Sequence, residues 1–282
     1  MTIGGYMVHT IETGRFSLDG GAMFGVIPKV FWEKNNPPDG KNRIVMAARA
    51  LLLVGNGRVV LIDTGNGSKL DEKLRSIYAI DNSTFDLASS LSTHGITPPD
   101  VTDVILTHLH FDHAGGATRR EDGEVRATFP RARYHVQREH WEAALNPTER
   151  DRASFFRDDF MPLYEHGLLN FSEGEGEILP GISVEVFFGH TSALQCPVIS
   201  DGTTSLLYCA DLVPTASHVQ LPWIMAYDLR PLVTLNEKRN VLTRAAEEQW
   251  ILVFEHDPAV AAARIVRTEK GFFVEHPINL TL

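Results

Sequence analysis

Four side chains able to hold a metal ion fall within six residues of one another, in Thr107-His108-Leu109-His110-Phe111-Asp112-His113. In an irregular loop at a strand end, side chains at i and i+2 can point the same way, so His108 and His110 can grip one ion. Asp112 and His113 can then turn toward a second. A helical His-Glu-x-x-His site works differently, because i and i+4 spacing puts both imidazoles on one helix face. Imidazole and carboxylate donors suit zinc, iron, cobalt or manganese. With only two cysteines in the chain, a Cys-rich structural zinc site is not expected. Divalent ions with an open coordination position lower the pKa of bound water from about 15.7 toward 7. The chemistry expected is therefore hydrolysis without a nucleophilic Ser or Cys.

Further ligands should also sit at strand ends, and three candidates each close an apolar run. His190 follows Val184–Gly189, Asp211 follows Leu206–Ala210, and His256 follows Ile251–Glu255. Asp63 ends a predicted hairpin, Ile44–Val54 and Arg58–Ile62, joined by Asn56-Gly57, a dipeptide that favours the positive φ of a tight turn. Cys196–Ile199 and Ser205–Cys209, flanking Asp201-Gly202, predict a second hairpin that runs out at Asp211. The two hairpins hint at an internal duplication, which the sequence match is too weak to establish. Helices are predicted at about 69–80, 85–94, 138–146, 151–167 and 231–248, with strands at 103–107, 133–137 and 250–255 and a loop at 173–177. The alternation, with no Pro/Gly/Ser-rich linker, predicts one α/β domain over residues 1–282 with sheets inside and helices outside.

The set of residues resembles the metallo-β-lactamase superfamily. The His-x-His-x-Asp-His motif is matched at 108–113, and Asp63-Thr64-Gly65, Gly189-His190-Thr191, Asp211 and His256 follow in that family's order over nearly the whole chain. The resemblance implies an αββα sandwich with the site along one edge of two mixed sheets. It implies that His108, His110 and His190 hold a first metal. Asp112, His113 and His256 would hold a second, with Asp211 bridging both and Asp63 orienting a ligand or its loop. Two divalent ions, zinc above iron, cobalt or manganese, would activate a bridging hydroxide, with Asp112 and Asp211 as the carboxylates nearest the reaction.

Two segments, Asp19–Trp32 and Ala210–Trp223, resemble the branch containing quorum-quenching N-acyl-homoserine lactonases and methyl parathion hydrolase-like enzymes. The expected activity is lactone opening, with phosphotriester or aryl ester hydrolysis at the same site as the runner-up. Phe24, Phe31, Trp32 and Trp223, with Met225 and Tyr227, are expected to form an apolar wall for an acyl chain or aryl group. Many lactonases of the superfamily carry a Tyr three residues after the bridging Asp; here Pro214 stands there, and His218 is the candidate replacement.

Other classes fit less well. A net charge of −10 opposes a nucleic-acid footprint, which needs clustered Lys and Arg. No run of about 18 apolar residues predicts a membrane span, and the first residues lack a signal-peptide pattern. Cys196 and Cys209 sit in predicted buried strands, a pattern that suits a reducing cytoplasm. A non-catalytic metal-binding protein on the same fold would be expected to lack ligands, and all seven are present. The expected partner is a small ester or lactone, with a homodimer contact through the early segment.

Overall fold

The computed structural model describes residues 1–280. Its first sheet contains β1 (Thr2–Ile3), β2 (Tyr6–Asp19), β3 (Arg43–Gly55), β4 (Arg58–Ile62), β5 (Asp103–Ile105), β8 (Arg133–Gln137) and β9 (Leu169–Ser172), in that spatial order. A small hairpin of β6 (Thr118–Glu121) and β7 (Glu124–Ala127) stands apart. The second sheet runs β10 (Gly176–Leu179), β11 (Ile182–Phe187), β12 (Leu194–Ser200), β13 (Ser205–Tyr208), β14 (Ile251–Val253), β15 (Ala262–Thr268) and β16 (Gly271–Pro277).

The side-chain alternation of β3 explains the layering. Leu51 and Leu53 face inward, in one core with Val60 and Ile62 and with Cys196, Ile199, Leu207 and Val253 of the second sheet. Ala50 and Leu52 face the other way, toward Leu91, Trp141 and Leu163 beneath the outer helices. A strand pointing alternate residues to opposite faces needs a partner layer on each side. The helix Pro231–Glu247 covers the second sheet with Val241, Leu242 and Ala245. This is the expected αββα arrangement of two mixed sheets.

Both sheets repeat one pattern. Strands β2, β3 and β4 pair antiparallel and β5 then joins β4 in parallel; β11, β12 and β13 pair antiparallel and β14 joins β13 in parallel. Neighbouring parallel strands end on the same side. Asp63 after β4, His108 after β5, Asp211 after β13 and His256 after β14 are therefore all delivered to one edge. The duplication hinted at by the hairpins has this counterpart in topology.

Several expected boundaries shift. The first hairpin forms as read, with Asn56 at φ 51° and Gly57 at φ 73°. Helices at 69–80 and 85–94 contract to Glu72–Ile77 and Leu87–Ser92, started by the caps Asp71 and Asp86. The 173–177 loop gives way to β10 from Gly176. The strands at 103–107 and 250–255 shorten to β5 and β14. The helix expected over 151–167 does not form. That stretch breaks into turns at Arg152–Ser154 and Arg157–Asp159 and a short helix, Met161–Glu165, with Pro162 in its first turn. Proline there starts a helix and cannot sit inside a longer one.

Burial of Asp159 also holds the break in place. Its carboxylate meets Lys69 at 2.9 Å, both side chains being nearly inaccessible. The same ammonium donates to the Thr118 carbonyl at 2.8 Å and to that of Gly115, just beyond the His-rich segment. We expect Asp159→Ala, which strands the Lys69 charge, to lower unfolding free energy by about 3–5 kcal/mol. Urea denaturation checks this; an unchanged midpoint would contradict it.

Candidate metal centre

The His-rich segment leaves β5 in extended form and enters the short helix Phe111–Ala114. Leu109 is fully buried, and its backbone N–H donates to His140 Nε2 at 2.8 Å. His140 Nδ1 in turn donates to the Ser192 carbonyl at 2.7 Å, tying the segment to the loop that carries His190. Burial lowers the His140 pKa to about 4, which keeps Nε2 a lone-pair acceptor. After the helix, Gly115 and Gly116 press against the loop after β4, where a Cβ on either would run into the carbonyls of Asn66 and Thr64. Thr64 donates both its backbone N–H and its hydroxyl to the His113 carbonyl, each at 2.8 Å.

Two buried His/Asp clusters result. His108, His110, His190 and Asp211 form one, and Asp112, His113 and His256 the other, with the ligand atoms of each within 4.8 Å of one another. Asp211 lies between them, with Oδ2 at 3.0 Å from His190 Nε2 and Oδ1 at 3.1 Å from His256 Nε2. Asp112 reaches the second cluster, with Oδ2 at 3.7 Å from His256 Nε2 and Oδ1 at 3.9 Å from His113 Nε2. The seven residues read as ligands from the sequence are thus brought together in these two clusters.

Outward hydrogen bonds set the tautomers. His190 Nδ1 faces Asp228 Oδ1 at 2.8 Å, and His256 Nδ1 donates to the Ala47 carbonyl at 2.9 Å. His113 Nδ1 faces Asp63 Oδ2 and Glu255 Oε2, both at 3.0 Å. His108 Nδ1 lies 3.1 Å from Thr107 Oγ1, whose own hydrogen goes to Asp63 Oδ2 at 2.6 Å. An imidazole that donates outward turns its other nitrogen, with a lone pair, inward.

Those inward nitrogens crowd together. His110 Nδ1 lies 3.0 Å from His108 Nε2 and 3.4 Å from His190 Nε2, while His113 and His256 bring their Nε2 atoms to 3.2 Å. Lone pairs aimed at one another repel unless a proton or a cation sits among them. Imidazole plus carboxylate at this spacing fits a pair of divalent transition ions.

The buried groups also shift one another's charge. Burial, reinforced by neighbouring histidines, holds His108 and His110 well below the usual histidine range. Burial opposes charge on His190 and His113 too, but Asp211 and Asp228 raise His190 to about 10, and Glu255 and Asp211 lift His113 well above its ordinary value. Burial works against the Asp211 carboxylate, yet His190, His113 and His256 hold its pKa far below the carboxylate range.

A cleft of about 290 Å³ opens over both clusters. Leu18, Met23, Met46, Phe111, Met225 and Leu229 give it apolar walls, and Tyr78, Arg150, Asp151, Ser154 and Tyr227 also line it. Phe111, buried in a core cluster with Phe16, Met23 and Met46, also lines this cleft and stacks on Tyr78 at 4.7 Å. Of the residues expected from the sequence to meet the substrate, Met225 and Tyr227 line it, whereas Phe24, Phe31, Trp32, His218 and Trp223 do not. Phe24 and Trp32 are fully buried and stack on each other at 5.2 Å, and Phe24 also stacks on His218 at 4.9 Å. Both His218 nitrogens are engaged, Nδ1 with Thr215 Oγ1 at 2.7 Å and Nε2 with the Met23 carbonyl at 2.8 Å. Trp223 contacts Phe24 edge-on and faces a separate outer groove with Phe31 and Val45. These aromatics form the layer behind Met23 and Met225. Pro214 offers its carbonyl to the His256 backbone N–H at 2.9 Å.

Asp228, Glu255 and His140 were missed in the sequence reading, because each acts through a neighbour remote in sequence. For Glu255 a signal existed in its place beside His256.

Fold and site together define a metal-dependent hydrolase. Residues 44–256 match the Metallo-beta-lactamase superfamily, and the chain belongs to it. Among curated relatives, an N-acyl homoserine lactonase of Bacillus thuringiensis is 26% identical over 174 residues, covering 61% of this chain and 62% of that protein. N-acyl homoserine lactonase AttM of Rhizobium radiobacter is 27% identical over 172 residues, covering 58% and 61%. The matches thus span less than two thirds of those relatives' lengths. A probable metal-dependent hydrolase from Staphylococcus aureus superposes with a TM-score of 0.89 at 27% identity, covering 99% of this chain and 100% of its own. AidC, described as a dizinc quorum-quenching lactonase in complex with a product, shares the fold with a TM-score of 0.82 at 20% identity, covering 99% and 97%.

Asp228 supplies a direct test. Asp228→Ala removes the acceptor that orients His190, and metal affinity should fall about 10–100-fold. Competition with a chromophoric chelator reads this; unchanged affinity would show that the His190 ring is held by other contacts.

Proposed function

We propose that this hydrolase opens N-acyl homoserine lactones, with His108, His110 and His190 holding one ion, Asp112, His113 and His256 the other, and Asp211 shared. The observation that carries this reading is the apolar cleft lying directly over both clusters. Its volume, about 290 Å³, sits at the lower end of small-ligand pockets and suits a compact ring with an acyl chain. The N-acyl homoserine lactonases among the relatives support the same substrate class.

When bound, two divalent ions, zinc foremost, supply acidified water and a polarised ester carbonyl. The chain does the rest. Asp211, between the clusters, fixes their spacing. Asp112 borders the cleft, where its carboxylate can orient the attacking water and take its proton. Met23, Met46, Met225 and Leu229 seat the acyl chain and exclude bulk water, which strengthens every polar contact inside. The Tyr78–Phe111 stack would equally receive an aryl group, so aryl esters and phosphotriesters form the second reading.

Ring opening of a medium-chain acyl homoserine lactone, followed with a pH indicator on metal-loaded protein, tests the proposal. Asp112→Asn should lower kcat by about 100-fold or more with an unchanged circular dichroism spectrum. A dimetal wild type that opens no lactone but cleaves aryl esters would transfer the assignment to the second reading.

A further inference from the structure

We propose that the Tyr227 hydroxyl donates a hydrogen bond to the ester oxygen that leaves as the acyl–oxygen bond breaks. The inference rests on the ester hydrolase reading and adds a donor within the chain itself. Attack adds the water oxygen to the acyl carbon, and the bond to the ring oxygen breaks with its electron pair. That oxygen finishes as a hydroxyl, carrying a proton that came from the water. While its negative charge grows, a fixed donor lowers the barrier.

Few groups along the cleft can serve. The Arg150 guanidinium is held to the Ala226 carbonyl. Ser154 lies in a turn whose neighbours Arg152 and Ala153 are exposed. The Tyr78 ring is held in a stack on Phe111 at 4.7 Å. Tyr227, 38% exposed, lines the cleft together with Asp112 and Asp211, and its hydroxyl has no hydrogen-bond partner among the described residues. It is a free donor in the cleft that both clusters line.

Its backbone is fixed to the same junction. The next residue, Asp228, receives His190 Nδ1. Leu229 and Arg230 donate their N–H groups to the carbonyls of His190 at 3.1 Å and Gly189 at 2.8 Å. On the other side, the Ala226 N–H donates to the Ala22 carbonyl at 2.8 Å. Farther back, Lys238 donates to the carbonyls of Gln220 and Trp223 at 2.8 and 2.7 Å. A donor mounted this way is positioned before substrate arrives. Burial first, then Asp19 and Asp112, raise the phenol pKa above its ordinary value, so the group keeps its hydrogen at working pH.

The test compares Tyr227→Phe with wild type on substrates of one acyl group and different leaving oxygens: the homoserine lactone, an alkyl ester and a 4-nitrophenyl ester. Loss of the donor should lower kcat/KM about 100-fold where an alkoxide leaves. It should cost less than about 3-fold where nitrophenoxide leaves, because that group needs no help. Metal content and Tm should match wild type. Equal losses on all three substrates, or none, would overturn the proposal. A wild type that cleaves the alkyl ester but not the lactone would end the lactone reading and leave the Tyr227 comparison valid. One that cleaves only the nitrophenyl ester would end both.

Discussion

Like-signed electron density packed into a dry space is what the rest of this structure is organised around. Five imidazoles and two carboxylates converge in the two clusters, and every one of them is largely buried. Left to themselves, such groups would separate, take up protons or draw in water. Here four of the five imidazoles, those of His108, His113, His190 and His256, are braced from behind. Asp63, Asp228, Glu255, Thr107 and the Ala47 carbonyl hold the outer nitrogens, so the inner ones have nowhere else to point. Binding of cations relieves that strain of charge, and the surrounding framework makes the arrangement rigid enough to wait for them.

The fold supplies the bracing through its connectivity. Parallel entry of β5 beside β4, and of β14 beside β13, brings two pairs of strand ends to one edge. Strand β3 adds a further clamp. The Arg49 guanidinium donates to the carbonyls of Phe254 at 2.6 Å and Asp257 at 2.9 Å, on either side of His256, and its Nε meets Glu12 at 2.6 Å. The buried cation thus secures a metal-bearing loop through backbone, which no pattern of side chains along that loop would disclose.

The site was legible because its ligands are local or end apolar runs. His108 to His113 announce themselves by density, and His190, Asp211 and His256 by position. The hairpin at Asn56-Gly57 was legible because only a few dipeptides adopt its backbone angles. Strand β2 was not, since its fourteen residues mix Thr, Glu, Gly and Arg with the apolar ones. Its pairing with β3, bulged between Glu12 and Gly14, is decided by a partner more than twenty residues away. The aromatic residues failed differently. Composition could say that Phe24, Trp32 and Trp223 form an apolar group, but not that they would pack with His218 and with one another outside the cleft lining. The helix expected over 151–167 was lost to Pro162 and to a carboxylate whose partner, Lys69, lies ninety residues earlier.

The two walls of the cleft differ in how they are attached. Residues 225–230 are bonded into the His190 loop and behave as an extension of the metal-bearing framework. Residues 150–154 are turns at the surface, joined to the facing wall through the Arg150 contact with Ala226. Sequence drift in the first wall would disturb the ligands, whereas insertions or replacements in the second would reshape the entrance alone. A lineage built on this plan can therefore change what it admits without relearning how to hold its metals, and the surface turns are where such divergence would accumulate.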